Sequence, residues 1–257
     1  MIHPTAIVDS KAEIHESVQI GAYSIIGAEA TIDEETSIGP HVVIQGDTTI
    51  GKRNRIFQFS SIGEIPQDKK YRGENTQLVI GDDNLIREYC SFNIGTDDGG
   101  GVTKIGDHNW IMAYVHIAHD CQVGSHTILA NNATLAGHVT VQDHAILGGF
   151  VGVHQFCTIG ELAFLSMNSS VRQDVPPYIT VSGNPAAPRG LNLEGLKRRG
   201  VSSDAMAALK QAYKILYRSQ FTLNAAIEAL SALAQECEEV SEFQTFLSES
   251  LHRGVVR

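Results

Sequence analysis

Apolar residues return every six positions along most of the chain. Ile2, Val8, Ile14, Ile20, Ile26, Ile32, Ile38, Ile44, Ile50, Ile56 and Ile62 follow one another without a break. The phase reappears at Ile80, Ile86 and Phe92, slips by one residue, and runs from Ile105 through Ile117, Leu129, Leu135 and Val153 to Val171. The fourth residue after each aliphatic is nearly always small, as at Ala12, Ser24, Ala30, Thr36, Cys121, Thr127, Ala133 and Ala145. That residue and the next aliphatic lie two apart in an extended segment and so share one inward face. A parallel β-helix of triangular section, three hexads to a coil, satisfies this pattern, and its coils repeat every 18 residues. The glycines that follow many of the aliphatics, among them Gly21, Gly39, Gly106 and Gly124, are expected where the chain turns.

Two segments break the period and are expected to loop out: 64–78, reading EIPQDKKYRGENTQL, and 93–104, reading NIGTDDGGGVTK. Insertions in a repeat tend to gather near a binding face. Beyond Val171 the pattern stops at Pro176, Pro177, Gly183 and Pro185, and a helical period takes over. Helices are predicted over Leu193–Arg199, Asp204–Arg218 with Ser203 as cap, Leu223–Gln235 after Thr222, and near Val240–Leu251. The expected organisation is a mainly β solenoid over 1–190 followed by an α-helical domain over 191–257 that covers its open end.

With 19 Lys and Arg against 29 Asp and Glu, the net charge is −10, which leaves no long basic surface for a nucleic-acid backbone. No apolar run approaches the roughly 18–20 residues of a membrane span. The start, Met1-Ile2-His3-Pro4-Thr5, has no basic or apolar export signal, so a cytoplasmic location is expected. Four cysteines without a Cys-x-x-Cys pair predict reduced thiols.

Candidate chemistry gathers in little more than two coils. His116, His119, His138, His144 and His154 occupy no inward slot and face outward. The plain alternative for each is a solvated rung residue. Stacking by 18 places His119 in register with Gly137 and Gln155, and Asp120 in register with His138, on coils about 4.8 Å apart. A glycine against a histidine leaves its N–H uncovered, pairing a general base with a donor for a developing oxyanion. An imidazole of reference pKa near 6.5 accepts a hydroxyl proton at neutral pH. A zinc site would use His116 and His119 with His138 or His154 from a neighbouring chain, but His-x-x-His in a strand and turn does not put both rings on one face, and no metal is expected.

The strings MAYVHIAHDC over 112–121, ILANNATLAGHV over 128–139, HQF over 154–156 and NLEGLKRRG over 192–200 are far longer than a generic hexad. With them the whole chain resembles the UDP-N-acetylglucosamine O-acyltransferases of lipid A biosynthesis, within the hexapeptide-repeat acyltransferases. The resemblance implies a left-handed β-helix and a homotrimer with sites between neighbouring chains. It also implies transfer of an (R)-3-hydroxyacyl group from acyl carrier protein to the 3-hydroxyl of UDP-GlcNAc, the first step towards the lipid A of lipopolysaccharide. No cofactor is implied beyond the carrier thioester as co-substrate. His119 falls on the family's general base, Gly137 on its oxyanion amide and Asp120 on the acid behind the base. Gln67, Asp68, Lys70, His116, His138, His154, Gln155, Asn192, Glu194, Arg198 and Arg199 match substrate contacts. Lys70, Arg198 and Arg199 supply the local positive charge that a pyrophosphate and an acidic carrier require. Two positions depart from the pattern. Ile94 stands where an arginine is common, and Met167 stands where glycine admits a longer acyl tail, so a shorter chain is expected. N-acyl transfer to an amino sugar nucleotide, including the 3-amino analogue, is the alternative reaction. A zinc-dependent or non-catalytic trimer is the alternative class.

Overall fold

A computed structural model describes all 257 residues. The chain winds as a left-handed parallel β-helix whose short strands form three sheets of nine, eight and ten strands, parallel throughout except for the last strand of the third. The coil register is 18 residues, with Ile20 opposite Ile38, Ile26 opposite Ile44 and Leu129 opposite Leu147. The periodic aliphatics from Ile20 to Val171 are buried in one continuous core. Each fully buried Ile or Leu side chain contributes roughly 1.5–3 kcal/mol. The polar residues in inward slots are bonded across coils. The Asn54, Asn84 and Asn109 amides donate to the carbonyls of Gly81, Gly106 and Gly124 at 2.8, 2.9 and 2.9 Å.

The turns are not made where the glycines stand. From Tyr23 onward most corners are a non-glycine residue three positions after the aliphatic, held in the left-handed region: Tyr23 at φ 60°, His41 at 55°, Asp120 at 60°, His138 at 61°. Such a conformation costs roughly 1–2 kcal/mol per residue. Stacking along the corner column offsets part of it. The rings of Tyr23, His41, Phe59, Tyr89 and Tyr114 follow one another at 5.2, 5.3, 5.1 and 4.7 Å. The glycines are required for close approach instead. A Cβ on Gly21 would lie 2.6 Å from the carbonyl carbon of Gly39 in the next coil.

The excursions are shorter than the loss of period suggests. Strands persist to Glu64 and resume at Gln77, and they persist to Asn93 and resume at Val102. The loops proper are therefore 65–76 and 94–101. After Val171 the chain forms an antiparallel hairpin of Ile179–Ser182 and Ala187–Leu191. Four helices follow: α1 Leu193–Arg198, α2 Ser203–Arg218, α3 Leu223–Glu236 and α4 Glu238–Glu249. The α2 cap is Ser202 rather than Ser203, because the Ser202 hydroxyl accepts from the Ala205 N–H at 3.1 Å. Leu209, Leu216, Leu230, Phe243 and Leu247 pack the bundle. It is tied to the last coils by a bridge between Asp174 and Val255 and by the Tyr178 hydroxyl donating to Glu242 of α4. No helix is long and apolar enough to cross a membrane.

Candidate active site

Asp120 is the centre of the most constrained polar cluster on the solenoid. Consecutive residues of a strand point to opposite sides, which sets Asp120 against His119 as partners. The left-handed corner removes that conflict: Asp120 turns out of the strand path, and its Oδ2 lies 2.7 Å from His119 Nδ1. The loop 94–101 completes the surroundings. Thr96 donates to the same carboxylate through its N–H at 2.8 Å and its hydroxyl at 2.6 Å, and the Asp120 N–H donates to Thr103 Oγ1 at 2.7 Å. Gly99 lies directly over the carboxylate, where a Cβ would fall 2.0 Å from Asp120 Cγ. The Asp120 side chain is wholly buried and the His119 side chain is 13% exposed. Sequence reasoning missed Thr96, Gly99 and Thr103. The Gly95-Thr96 pair inside an excursion was the available signal.

His119 donates its Nδ1 proton to Asp120, so its lone pair is on Nε2. The ring lies on the backbone of Gly137, where a Cβ would sit 2.5 Å from Cε1 and 2.6 Å from Nε2. The Gly137 N–H donates to nothing within the chain. His138, one coil above Asp120, meets His119 edge-on at 5.0 Å and stacks on Phe156 at 4.3 Å. Burial pushes the His138 imidazole below the usual histidine range, and the nearby Asp120 charge opposes this. His116, outward on the preceding strand, shares a proton with Ser91 Oγ at 2.8 Å, and burial likewise holds it low.

From the 65–76 loop, Asp68 faces the same pair. Its carboxyl lies below the usual range, chiefly because the Lys70 N–H donates to it, with further help from charge on His119 and His138. Gln67 and Lys70 are exposed beside it. His154 and Gln155 lie in the next coils on the same edge, exposed, with His154 Nδ1 at 3.2 Å from the Gln155 carbonyl.

The remaining candidates stand elsewhere. Asn192 caps α1, accepting from the Gly195 N–H at 3.0 Å, and its amide donates to the Leu162 carbonyl at 2.9 Å. Glu194 pairs with Lys197 at 3.7 Å. Burial and then the charge of Arg199 lower the His144 pKa, which places Arg199 at the edge occupied by His126, His144 and Leu162. Arg198 is exposed in the last turn of α1. A whole sheet, including Gln122–Val123 and Thr140–Val141, separates that edge from the His119 edge. Met167 lies at the third edge, 64% exposed and beside Gly149. Ile94 is buried in the core and presents nothing to solvent. A concavity of about 970 Å³ between the second sheet and α4 is lined by Asp107, Asp143, Glu161, Glu242 and Glu249 and excludes His119.

Comparison with known proteins decides the family. The chain is 57% identical over 256 residues to the acyl-[acyl-carrier-protein]–UDP-N-acetylglucosamine O-acyltransferase of Thiobacillus denitrificans, covering 100% of this chain and 99% of the relative. The chain belongs to the UDP-N-acetylglucosamine O-acyltransferase family. Its homologue in Paracidovorax citrulli is 60% identical over 259 residues, with 100% and 99% covered. The crystal structure of the Moraxella catarrhalis O-acyltransferase superposes with a TM-score of 0.97 at 45% identity, covering 100% of this chain and 99% of that one. The family described as Udp N-acetylglucosamine O-acyltransferase, Domain 2, matches residues 174–256, and the bacterial transferase hexapeptide family matches 103–137.

Proposed function

We propose that the protein transfers an (R)-3-hydroxyacyl group from acyl carrier protein to the 3-hydroxyl of UDP-GlcNAc, the first step of lipid A biosynthesis, in the cytoplasm. The observation that carries the mechanism is the His119–Asp120 pair set against the free N–H of Gly137. His119 Nε2 takes the proton of the sugar hydroxyl as its oxygen attacks the thioester carbonyl. Asp120 holds the opposite ring nitrogen and stabilises the imidazolium. The Gly137 N–H donates to the oxyanion. Collapse of the tetrahedral intermediate breaks the C–S bond, and the imidazolium returns its proton to the departing thiolate. No covalent enzyme intermediate and no resident cofactor take part. Base catalysis of this kind supplies about 10²–10⁴ in rate, and one oxyanion donor about 10²–10³.

Asp68, His116 and His138 lie near the base, and these three with Gln67, Lys70, His154 and Gln155 are assigned to the acceptor sugar and the donor. Asn192, Glu194, Arg198 and Arg199 are assigned to the nucleotide and the carrier, and their position on another edge supports a site shared between chains. A second feature supports a homotrimer. Leu85, Trp110, Ile128, Ile146 and Phe164 stack in register on the outer side of one sheet, with Trp110 48% exposed. The corresponding strands of the sheet between His119 and His144 present Lys104, Gln122, Thr140 and Thr158. Product mass spectrometry with UDP-GlcNAc, its 3-amino analogue and a panel of 3-hydroxyacyl carrier proteins tests the assignment. A single O-acylated sugar nucleotide is expected. Product from the amine alone would reassign the chain to N-acyl transfer.

A further inference from the structure

We infer that His119, Asp120 and His138 form a binding site for a divalent cation of the zinc class, and that the bound cation switches acyl transfer off. One ligand atom from each residue lies within 4.8 Å of the other two. Asp120 Oδ2 stands 2.7 Å from His119 Nδ1 and 3.8 Å from His138 Nδ1. Around a tetrahedral zinc with bonds of about 2.0–2.2 Å, ligand atoms sit about 3.4 Å apart, between those two separations. Small side-chain shifts therefore suffice. Two imidazoles and one carboxylate are a donor set that zinc accepts with a fourth position left open. The set is held from outside: Thr96 orients the carboxylate and Phe156 the His138 ring. Such supports are what make a metal site bind tightly.

The inhibitory half rests on His119 as the general base. The neutral ring carries one proton, on Nδ1, and one lone pair, on Nε2. A cation that forms a bond to Nδ1 requires the proton to move through solvent to Nε2, with no net gain or loss. The metal-bound ring then presents an N–H where the sugar hydroxyl needs an acceptor. Thr96 Oγ1–H and the cation occupy the two lone-pair directions of Asp120 Oδ2, so the carboxylate keeps a full set of partners.

The experiment is calorimetric titration of the full chain with zinc chloride alone, repeated with cobalt(II) to read tetrahedral absorption bands. Turnover is measured in parallel with and without EDTA. One tight equivalent per chain is expected, weakened by roughly 10–100-fold or more in His138→Gln and in Asp120→Asn. Binding in His126→Ala, on the other histidine-bearing edge, stays as in the parent. Turnover falls with occupancy and returns with EDTA. Absence of a stoichiometric site, or binding that neither His138→Gln nor Asp120→Asn weakens, overturns the site. Full turnover at full occupancy overturns the inhibition. His138 is only partly buried, with 20% of its side chain exposed, so its variant reports even if Asp120→Asn misfolds. Because the titration contains no substrate, failure to bind zinc leaves the general-base assignment standing. That assignment fails only if His119→Ala keeps its turnover.

Discussion

At the His126 edge of the prism, the rings of His108, His126 and His144 stack 4.9 Å apart at interplanar angles of 13° and 20°. At the Asp120 edge, one hexad of chain away, His119 meets His138 at 89°. Both edges use the same left-handed corners, with His126 at φ 58° and His138 at 61°. Both carry carboxylates. The difference is where the carboxylates point. Asp82, Asp107 and Asp143 bond the backbone of the preceding coil, accepting from the N–H groups of Lys52, Asp82 and Ser125 at 2.8, 2.7 and 2.8 Å. They hold the solenoid together and do not bond the histidine rings; Asp83, nearer the stack, is taken by Arg53 at 2.6 Å and stays 3.9 Å from His108 Nδ1. Asp120 instead accepts from an imidazole, because the 94–101 loop lands on it with two donors from Thr96 and a bare glycine above it. Histidine density alone does not mark a site on this fold. An excursion that seals and orients one carboxylate does.

The sharpest way to break that comparison is to remove one histidine from each edge. His119→Ala should lower turnover by about 10³-fold or more while sugar-nucleotide binding persists, and His126→Ala should leave turnover within about twofold. Steady-state kinetics with a carrier thioester checks both, and equal losses at the two edges would end the distinction. Next in size is Gly99→Ala, which touches no histidine. Its Cβ would collide with Asp120, so the carboxylate or the loop must move, and a loss of about 10²-fold is expected, of the size a misplacement near 1 Å produces. Unchanged kcat with an intact circular dichroism spectrum would show that the cradle is ornamental.

Met167→Gly tests the third edge. It should shift the donor preference towards longer acyl chains by about tenfold or more, the scale of a methylene in an apolar pocket, read as the ratio of kcat/KM between two chain lengths. An unchanged ratio removes Met167 from chain-length selection. The smallest effect is on stability. Burial lowers the pKa of folded His116, so between that value and the unfolded value near 6.5 the unfolded chain binds more protons. The contribution of neutral His116 is complete above about pH 6.5 and is lost as pH falls through that window. His116→Gln should reduce the Tm difference between pH 7.5 and pH 5.5 by about 1–2 °C. A difference at least as large in the variant would assign the pH dependence to other groups.

Much of this was legible in the chain. The hexad places His119 beneath Gly137 and Asp120 beneath His138 by counting alone, and the structure has both registers. The glycine periodicity was legible too, yet its cause was misread: close coil-to-coil approach, not the turn, excludes a side chain at Gly21. The roles of Thr96 and Gly99 were not legible, since the residues of 94–101 follow no period and their partner lies some twenty positions later; Thr103 sits in a regular inward slot of the next strand, where nothing marks its hydroxyl as the acceptor for the Asp120 N–H. Nor did the run Asn192–Arg199 reveal the edge it would occupy.

The sequence by itself determined the solenoid, its core and its vertical register, because each coil contacts only its neighbours and a step of 18 residues, lengthened only where the two excursions intervene, carries the coil-to-coil contacts. Only the tertiary structure decided which histidine meets a buried carboxylate and which edge receives the cationic helix end. Those placements depend on where two aperiodic loops and a returning helical bundle come to rest. Packing against an already formed surface governs that, and no local repeat encodes it.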